Sequence, residues 1–200
     1  MNTLDAIKNR RSVRSYDTSA QISEEDQRIL FEHAVLAPTS FNIQNWRFVV
    51  VKDPEQRAKI REIGWGQPQL TDASMLVVLT ADLKAWNKDT ERYWVNAEKE
   101  TADMLVGSIK KFYHDNPQLE RDEAMRSVGL AGQTLMLAAT SLGYDTCPMD
   151  GYDPDELAKI INLPDDHVLG MIIVIGKKSA DAFPRGGQLP LDEVVITDSF

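Results

Sequence analysis

The chain predicts an α+β domain in which helices cover a sheet of four or five strands. Three observations point there. Strand-length apolar runs lie at Trp46–Lys52, Met75–Ala81 and Val168–Ile175. Helical periodicity fills more of the chain than these runs do. The two kinds of segment interleave without the regular alternation of a doubly wound sheet. No internal repeat, low-complexity tract or Gly-, Pro- or Ser-rich linker breaks the 200 residues, so a single domain over 1–200 is expected.

In chain order, a first helix is expected from about Thr3 to Arg10, with Thr3 as N-cap and Leu4 and Ile7 facing inward. Ser12–Tyr16 reads as extended chain. A second helix begins at Ser23, where Glu24, Glu25 and Asp26 suit its positive end, and Pro38 stops it. WRFVVVK is the first strand. Asp53-Pro54 combines an N-cap with proline at the first helical position and opens a helix to about Ile63. MLVVLTA is the second strand. Residues 84–114 read as helix closed by Asn116-Pro117. Residues 121–142 form the longest helix, with small residues (Ser127, Gly129, Ala131, Gly132) at its middle and Gly143 as C-cap. Asp153-Pro154 opens a short helix ending near Asn162. VLGMIIVI is the third strand, and Glu193–Thr197 is a candidate edge strand.

Composition excludes several classes of function. Lys and Arg total 22 against 31 Asp and Glu, a formal net charge of −9. That balance disfavours nucleic acid and anionic membrane surfaces as partners. No apolar run approaches membrane-spanning length. One cysteine, Cys147, rules out an internal disulfide and fits a reducing cytosol. No signal-peptide pattern is seen, so a cytoplasmic location is expected. The three histidines are far apart, and no metal-ligand spacing appears.

Four segments carry chemistry. Arg10-Arg11-Ser12-Val13-Arg14-Ser15 sets three guanidinium groups and two hydroxyls at a helix end on an otherwise acidic chain. Either it is a solvated basic turn or it holds an anion such as phosphate. Pro38-Thr39-Ser40-Phe41-Asn42-Ile43-Gln44-Asn45-Trp46 crowds hydroxyls and amides between a helix end and a strand. Cys147-Pro148-Met149-Asp150-Gly151 offers a close backbone approach at Gly151, though an ordinary strand-to-helix turn would read the same. Pro184-Arg185-Gly186-Gly187-Gln188-Leu189-Pro190 adds one arginine in a glycine-rich loop.

Taken in order and at their spacing, these four motifs resemble the FMN-dependent nitroreductases from Leu4 to Val195. Gly143–Cys147 is similar to a bacterial subgroup linked to quinone and nitroaromatic reduction. The resemblance implies a three-layer α+β fold with a mixed sheet of four to five strands. It implies a homodimer with FMN at the interface and a C-terminal strand exchanged between subunits. Arg10, Arg11, Ser12 and Arg14 would hold the phosphate and ribityl chain. Pro38, Thr39, Ser40, Asn42 and Gln44 would reach the partner's flavin. Pro148, Met149, Asp150 and Gly151 would lie against the ring, with backbone N–H groups near Asp150 and Gly151 directed at N5. Many relatives place asparagine and lysine at the pyrimidine edge; here Gln67 and Gln69 stand there, which implies a lower flavin potential than in lysine-bearing relatives. Relatives also carry a basic residue just before Leu-Pro. Here Arg185 is the substitute, with Lys177 as a second candidate.

The implied activity is hydride transfer from NADH or NADPH through FMN to a nitroaromatic or quinone, by ping-pong exchange in one slot. No residue is named as general acid or base. The alternatives are a same-fold enzyme with another acceptor, such as a reductive dehalogenase, an enone reductase or a flavin-cleaving enzyme, or a flavin-binding protein without turnover. Cys147 reads as a buried strand thiol, and Trp86, Tyr93, Trp94 and Phe112 either cap the substrate pocket or pack, with packing slightly favoured and some of them lining the pocket.

Overall fold

In the computed structural model, which describes residues 1–200, four strands form one sheet in the order β1-β2-β4-β3: β1 (Trp46–Val50), β2 (Met75–Asp82), β3 (Asp145–Met149) and β4 (His167–Gly176). All three pairings are antiparallel, not mixed as the resemblance implied. Val50 pairs with Val77 and Met149 with Ile172. The chain therefore leaves β1 and enters β2 at one end of the sheet, and β3 and β4 are joined in the same way. The one parallel pairing is the single bridge between Ser12 and Thr146, outside the named strands.

Successive side chains of a strand face opposite sides, and β2 shows this directly. Val77 and Leu79 join Ile173 and Ile175 in a core with Leu30, Val128 and Leu135. Leu76 and Val78 join Ile172 and Val174 in a second core with Val13, Ile60 and Leu157. The first core is roofed by α2 (Glu24–Ala34) and α6 (Pro117–Ser141), the second by α3 (Pro54–Ile63) and α7 (Pro154–Ile160). Burial on both faces makes β2 a continuous apolar run.

The register slips once. Leu79 pairs with Met171 and Thr80 with Leu169, so Gly170 is the extra residue of a bulge. A Cβ at Gly170 would sit 2.2 Å from Val128 Cγ1. Only glycine lets α6 close over the sheet there.

Helix starts follow the expected capping chemistry. The Ser23 hydroxyl accepts from the Asp26 N–H at 3.0 Å, and Asp53 and Asp153 cap α3 and α7. Asn116-Pro117 proves to be the start of α6 rather than merely the end of what precedes it: Asn116 Oδ1 accepts from the Leu119 N–H. The stretch expected as one helix over 84–114 is two 3₁₀ turns (Ala85–Asn87 and Thr90–Trp94) followed by α5 (Lys99–Tyr113). Trp86 and Tyr93 bury with Ile43, Ile109 and Tyr113 in a small separate core, which folds the segment back on itself.

Two expectations at the termini are corrected. The cap of α1 (Thr3–Asn9) is Asn2, not Thr3, and its inward residue is Ala6; Leu4 and Ile7 face outward, 77% and 48% exposed. Glu193–Thr197 is not a strand. The short α4 (Gln69–Asp72) lies between α3 and β2. The last helix, α8 (Leu191–Val194), precedes an exposed tail. No helix is long and apolar enough to cross a membrane.

Candidate functional site

The arginine segment leaves α1 in extended form and is pinned to the edge of the sheet. The Val13 N–H donates to the Thr146 carbonyl at 2.9 Å, and the Val13 side chain is buried. Alternation then leaves Ser12 and Arg14 exposed on the outer side. The C-terminal loop returns across this segment. Arg11 donates to the Phe183 carbonyl, and Arg185 Nη2 donates to the carbonyls of Lys8 at 3.1 Å and Arg10 at 2.9 Å. Arg185 thus caps the negative end of α1.

Together Arg10, Arg11, Ser12, Arg14 and Arg185 line a cavity of about 270 Å³. No acidic side chain lines it, and none of its four arginines forms an ion pair. Arg10 Nη1 is buried without a hydrogen-bond partner. Burial, followed by the neighbouring Arg185 charge, lowers the Arg10 pKa. Unpaired guanidinium groups gathered this closely provide a binding field for an anion. Lys177 does not contribute: its ammonium donates to the Gly143 carbonyl and lies 4.2 Å over the Tyr144 ring.

β3 carries the chain from this cavity to Pro148–Gly151. Neither the Asp150 nor the Gly151 N–H has a partner within the chain. Two adjacent free donors beside a residue without Cβ suit a flat ligand with acceptor atoms. The wall of this turn is Trp65 and the loop after it. Gln67 Nε2 donates to the Gly64 and Gly151 carbonyls, and Gln69 Nε2 donates to Gln67 Oε1. Both N–H groups of Gln67 are thereby used, so the spare amide donor of the pair is on Gln69. Cys147 lies buried in β3; burial pushes its thiol pKa up, against the opposing pull of Arg14 and Arg10.

The Pro38–Gln44 loop sits elsewhere in the same chain. Phe41, Asn42 and Gln44 all have left-handed backbone, at φ 52°, 54° and 43°. Such non-glycine conformations cost about 1–3 kcal/mol each and gather at functional sites. The loop is held by the Gln44 N–H on Thr39 Oγ1 at 3.0 Å and by Asn42 Nδ2 on the Tyr93 carbonyl at 2.8 Å. One of its hydrogen bonds reaches the second 3₁₀ turn and one comes from Arg47 of β1; none reaches the arginine cavity.

Asp82, Asp166 and His167 come close together, but the cation among them is Lys88, whose ammonium donates to Asp82 at 2.9 Å and Asp166 at 2.6 Å. Trp86 and Tyr93 are packed in the small core, whereas Phe112 is partly exposed. Trp65, Arg47 and Arg92 also stand at these cavities and turns. No local pattern distinguishes them from surface residues.

Comparison with known proteins is consistent with this geometry. The profile of the nitroreductase family matches residues 7–177. DrgA of Synechocystis sp. is 51% identical over 200 residues, covering 98% of this chain and 95% of that protein. YodC of Bacillus subtilis, named as a candidate NAD(P)H nitroreductase, is 35% identical over 198 residues, covering 96% and 97%. A solved FMN complex from Exiguobacterium sibiricum 255-15 superposes with a TM-score of 0.91 at 31% identity, covering 98% and 97%. By sequence and by fold, the chain belongs to the nitroreductase family.

Proposed function

We propose that residues 1–200 act as a single FMN-binding domain, paired as a homodimer, that oxidises NADH or NADPH and reduces a nitroaromatic or quinone. The observation that carries this reading is the acid-free arginine cavity with its unpartnered Arg10 Nη1. Arg10, Arg11, Ser12 and Arg14 hold the FMN phosphate and ribityl chain. Arg185, fixed on the α1 carbonyls, adds charge and closes the cavity. Pro148, Met149 and Gly151 support the ring, and the free N–H groups of Asp150 and Gly151 face its acceptor atoms. Gln69 serves the pyrimidine edge, positioned by Gln67.

When bound, FMN supplies the two-electron chemistry, accepting hydride from the donor and passing it to the acceptor. The chain's part is to bind, orient and keep the ring accessible on one face. Donor and acceptor use that face in turn, which makes the kinetics ping-pong. No side chain of this site is positioned as an obligatory acid or base.

What one chain leaves uncovered supports dimerisation. Leu4, Ile7 and Leu36 are exposed, as are Leu189, Leu191, Val195 and Ile196 of the C-terminal tail, more apolar surface than solvent-facing segments ordinarily carry. The strained Pro38–Gln44 loop reaches the partner's flavin, and the tail crosses to the other subunit.

The test is an absorbance spectrum after FMN addition and desalting, followed by NAD(P)H oxidation with a quinone, a nitroaromatic and a conjugated enone. Retained flavin bands with steady turnover on the first two acceptors are expected. A colourless protein would overturn the reading. Retained flavin without turnover would identify a binding protein, and turnover on the enone alone a same-fold enzyme with a different acceptor.

A further inference from the structure

We propose that a second cationic pocket, between Arg47 and Arg92, binds a phosphate group of the nicotinamide dinucleotide donor. The pocket has a volume of about 250 Å³ and is lined by Gln44, Trp46, Arg47, Arg92 and Tyr93, none of them acidic. β1 supplies Trp46 and Arg47. The second 3₁₀ turn supplies Arg92 and Tyr93, and the strained loop supplies Gln44.

The two arginines are held differently. Arg47 is fixed: Nη1 donates to the Gln44 carbonyl at 2.8 Å and the Trp46 carbonyl at 2.9 Å, and Nη2 reaches Asp82 at 3.4 Å. That carboxylate is already engaged by the Lys88 ammonium through both oxygens at 2.9 Å and by the Lys84 N–H. Asp82 therefore offsets the Arg47 charge only in part. Arg92 has no ion pair, and its guanidinium stands 5.8 Å from the centroid of the Tyr93 ring. Its sequence neighbours Asp89 and Glu91 neither line the pocket nor pair with it. Trp46 also lines the pocket; it is 7% exposed, packs against Phe48, and its indole N–H is buried without a partner.

One anchored guanidinium and one free guanidinium form a donor set for phosphate oxygens. The donor dinucleotide is the phosphate-bearing ligand that this place implies. Gln44 belongs to the loop set against the partner's flavin, so an anion held here lies beside the slot where nicotinamide stacks. This step rests on the proposed function. The phosphate has two sources on the donor: the pyrophosphate bridge, common to NADH and NADPH, and the adenosine 2′-phosphate of NADPH alone.

The experiment is calorimetric titration of the FMN-loaded protein and its Arg92→Ala variant with ADP and with adenosine 2′,5′-bisphosphate, beside KM values for NADH and NADPH. Arg92 is exposed, so its removal leaves the fold intact. The variant is expected to bind a probe about tenfold more weakly or worse, the scale of a lost charge-assisted hydrogen bond. Its donor KM should rise in parallel, while the acceptor KM and flavin absorbance stay as they are. An effect confined to the bisphosphate and NADPH assigns the 2′-phosphate; an effect on ADP and on both donors, whether or not the bisphosphate with its 5′-phosphate is also affected, assigns the pyrophosphate. Wild-type protein that binds neither probe, or a variant indistinguishable from it, overturns the proposal. Failure to retain FMN would overturn the flavin reading instead, because probe binding is read without turnover.

Discussion

The side-chain amide of Gln67 donates to the carbonyl oxygen of Gly151 at 3.0 Å, joining two turns 84 residues apart in the chain. Trp65 closes the same joint. Its backbone is left-handed at φ 58°, its side chain is 77% exposed, and its ring edge would lie 2.8 Å from a Cβ added at Gly151. The loop before β2 and the turn after β3 therefore form one wall.

Gly151→Ala meets this wall directly. The backbone at 151 does not require glycine, so the cost is steric and is set by how far the exposed indole swings aside. A loss of about 1 kcal/mol is expected in denaturant unfolding. Trp65→Ala should remove most of that loss. An equal loss in the Trp65→Ala background would show that the contact is not its source.

Arg10→Met separates stability from binding. Arg10 is partly buried beside Arg185 and Arg11, with no carboxylate to offset it. Removing one of several crowded like charges should leave the flavin-free protein as stable as before or more so. FMN affinity should fall by about 1.5–3 kcal/mol, the scale of a charge-assisted hydrogen bond. Thermal unfolding without FMN and equilibrium dialysis with it read the two effects; unchanged FMN affinity would count against the arginine cavity.

Gln69→Lys should raise the flavin midpoint potential. A neutral amide at the pyrimidine edge stabilises the anionic reduced ring less than an ammonium does. Gln69 is 3% exposed, so the lysine charge would act in a medium of low dielectric. A redox titration giving the variant a potential at or below the parent's would contradict this placement.

Acid stability depends on Asp166. Hydrogen bonds from Lys88 and then from His167 hold its carboxyl down to about 2, from an ordinary value of 3.8. A lowered carboxyl pKa contributes stability above the unfolded value and loses it as pH falls through the folded one. That contribution should be complete above pH 3.8 and fade toward pH 2. Asp166→Asn should unfold at lower urea than the parent at pH 6, and the gap should narrow on acidification. A constant gap would exclude the linkage.

Cys147 should resist thiol reagents in the native state. It is 4% exposed, and burial raises its pKa, which reduces the thiolate that reacts. Labelling with a disulfide reagent at pH 8 should be slow when folded and complete on unfolding; rapid native labelling would mark an opening of the β3 edge.

Much of the fold was legible because its signals are short in range. The Ser23, Asp53 and Asp153 caps act within one turn of their helices. The three apolar runs became β1, β2 and β4; β2 and the second half of β4 are buried on both faces, which leaves no polar alternation there, while β1 is a half-buried edge strand. β3 is marked in the sequence only through Cys147, read as a strand thiol, and has no legible range: Asp-Thr-Cys-Pro-Met contains a proline and few apolar residues, and its extent is set by β4 beside it. The single helix expected over 84–114 failed for the same reason, since Trp86 and Tyr93 bury in a core shared with Ile43 and Tyr113.

By itself the sequence determined the family, through four ordered motifs, and with it the residue types that gather at the site. Tertiary structure alone decided that Arg185 crosses to the α1 carbonyls while Lys177 is diverted to Gly143, and that Leu4 and Ile7 face outward. It also set Trp65 against Gly151 and left Arg92 unpaired beside Arg47. Each of these depends on where segments distant in the chain come to rest, and a local pattern of hydrophobicity or capping carries no information about its partner across the fold.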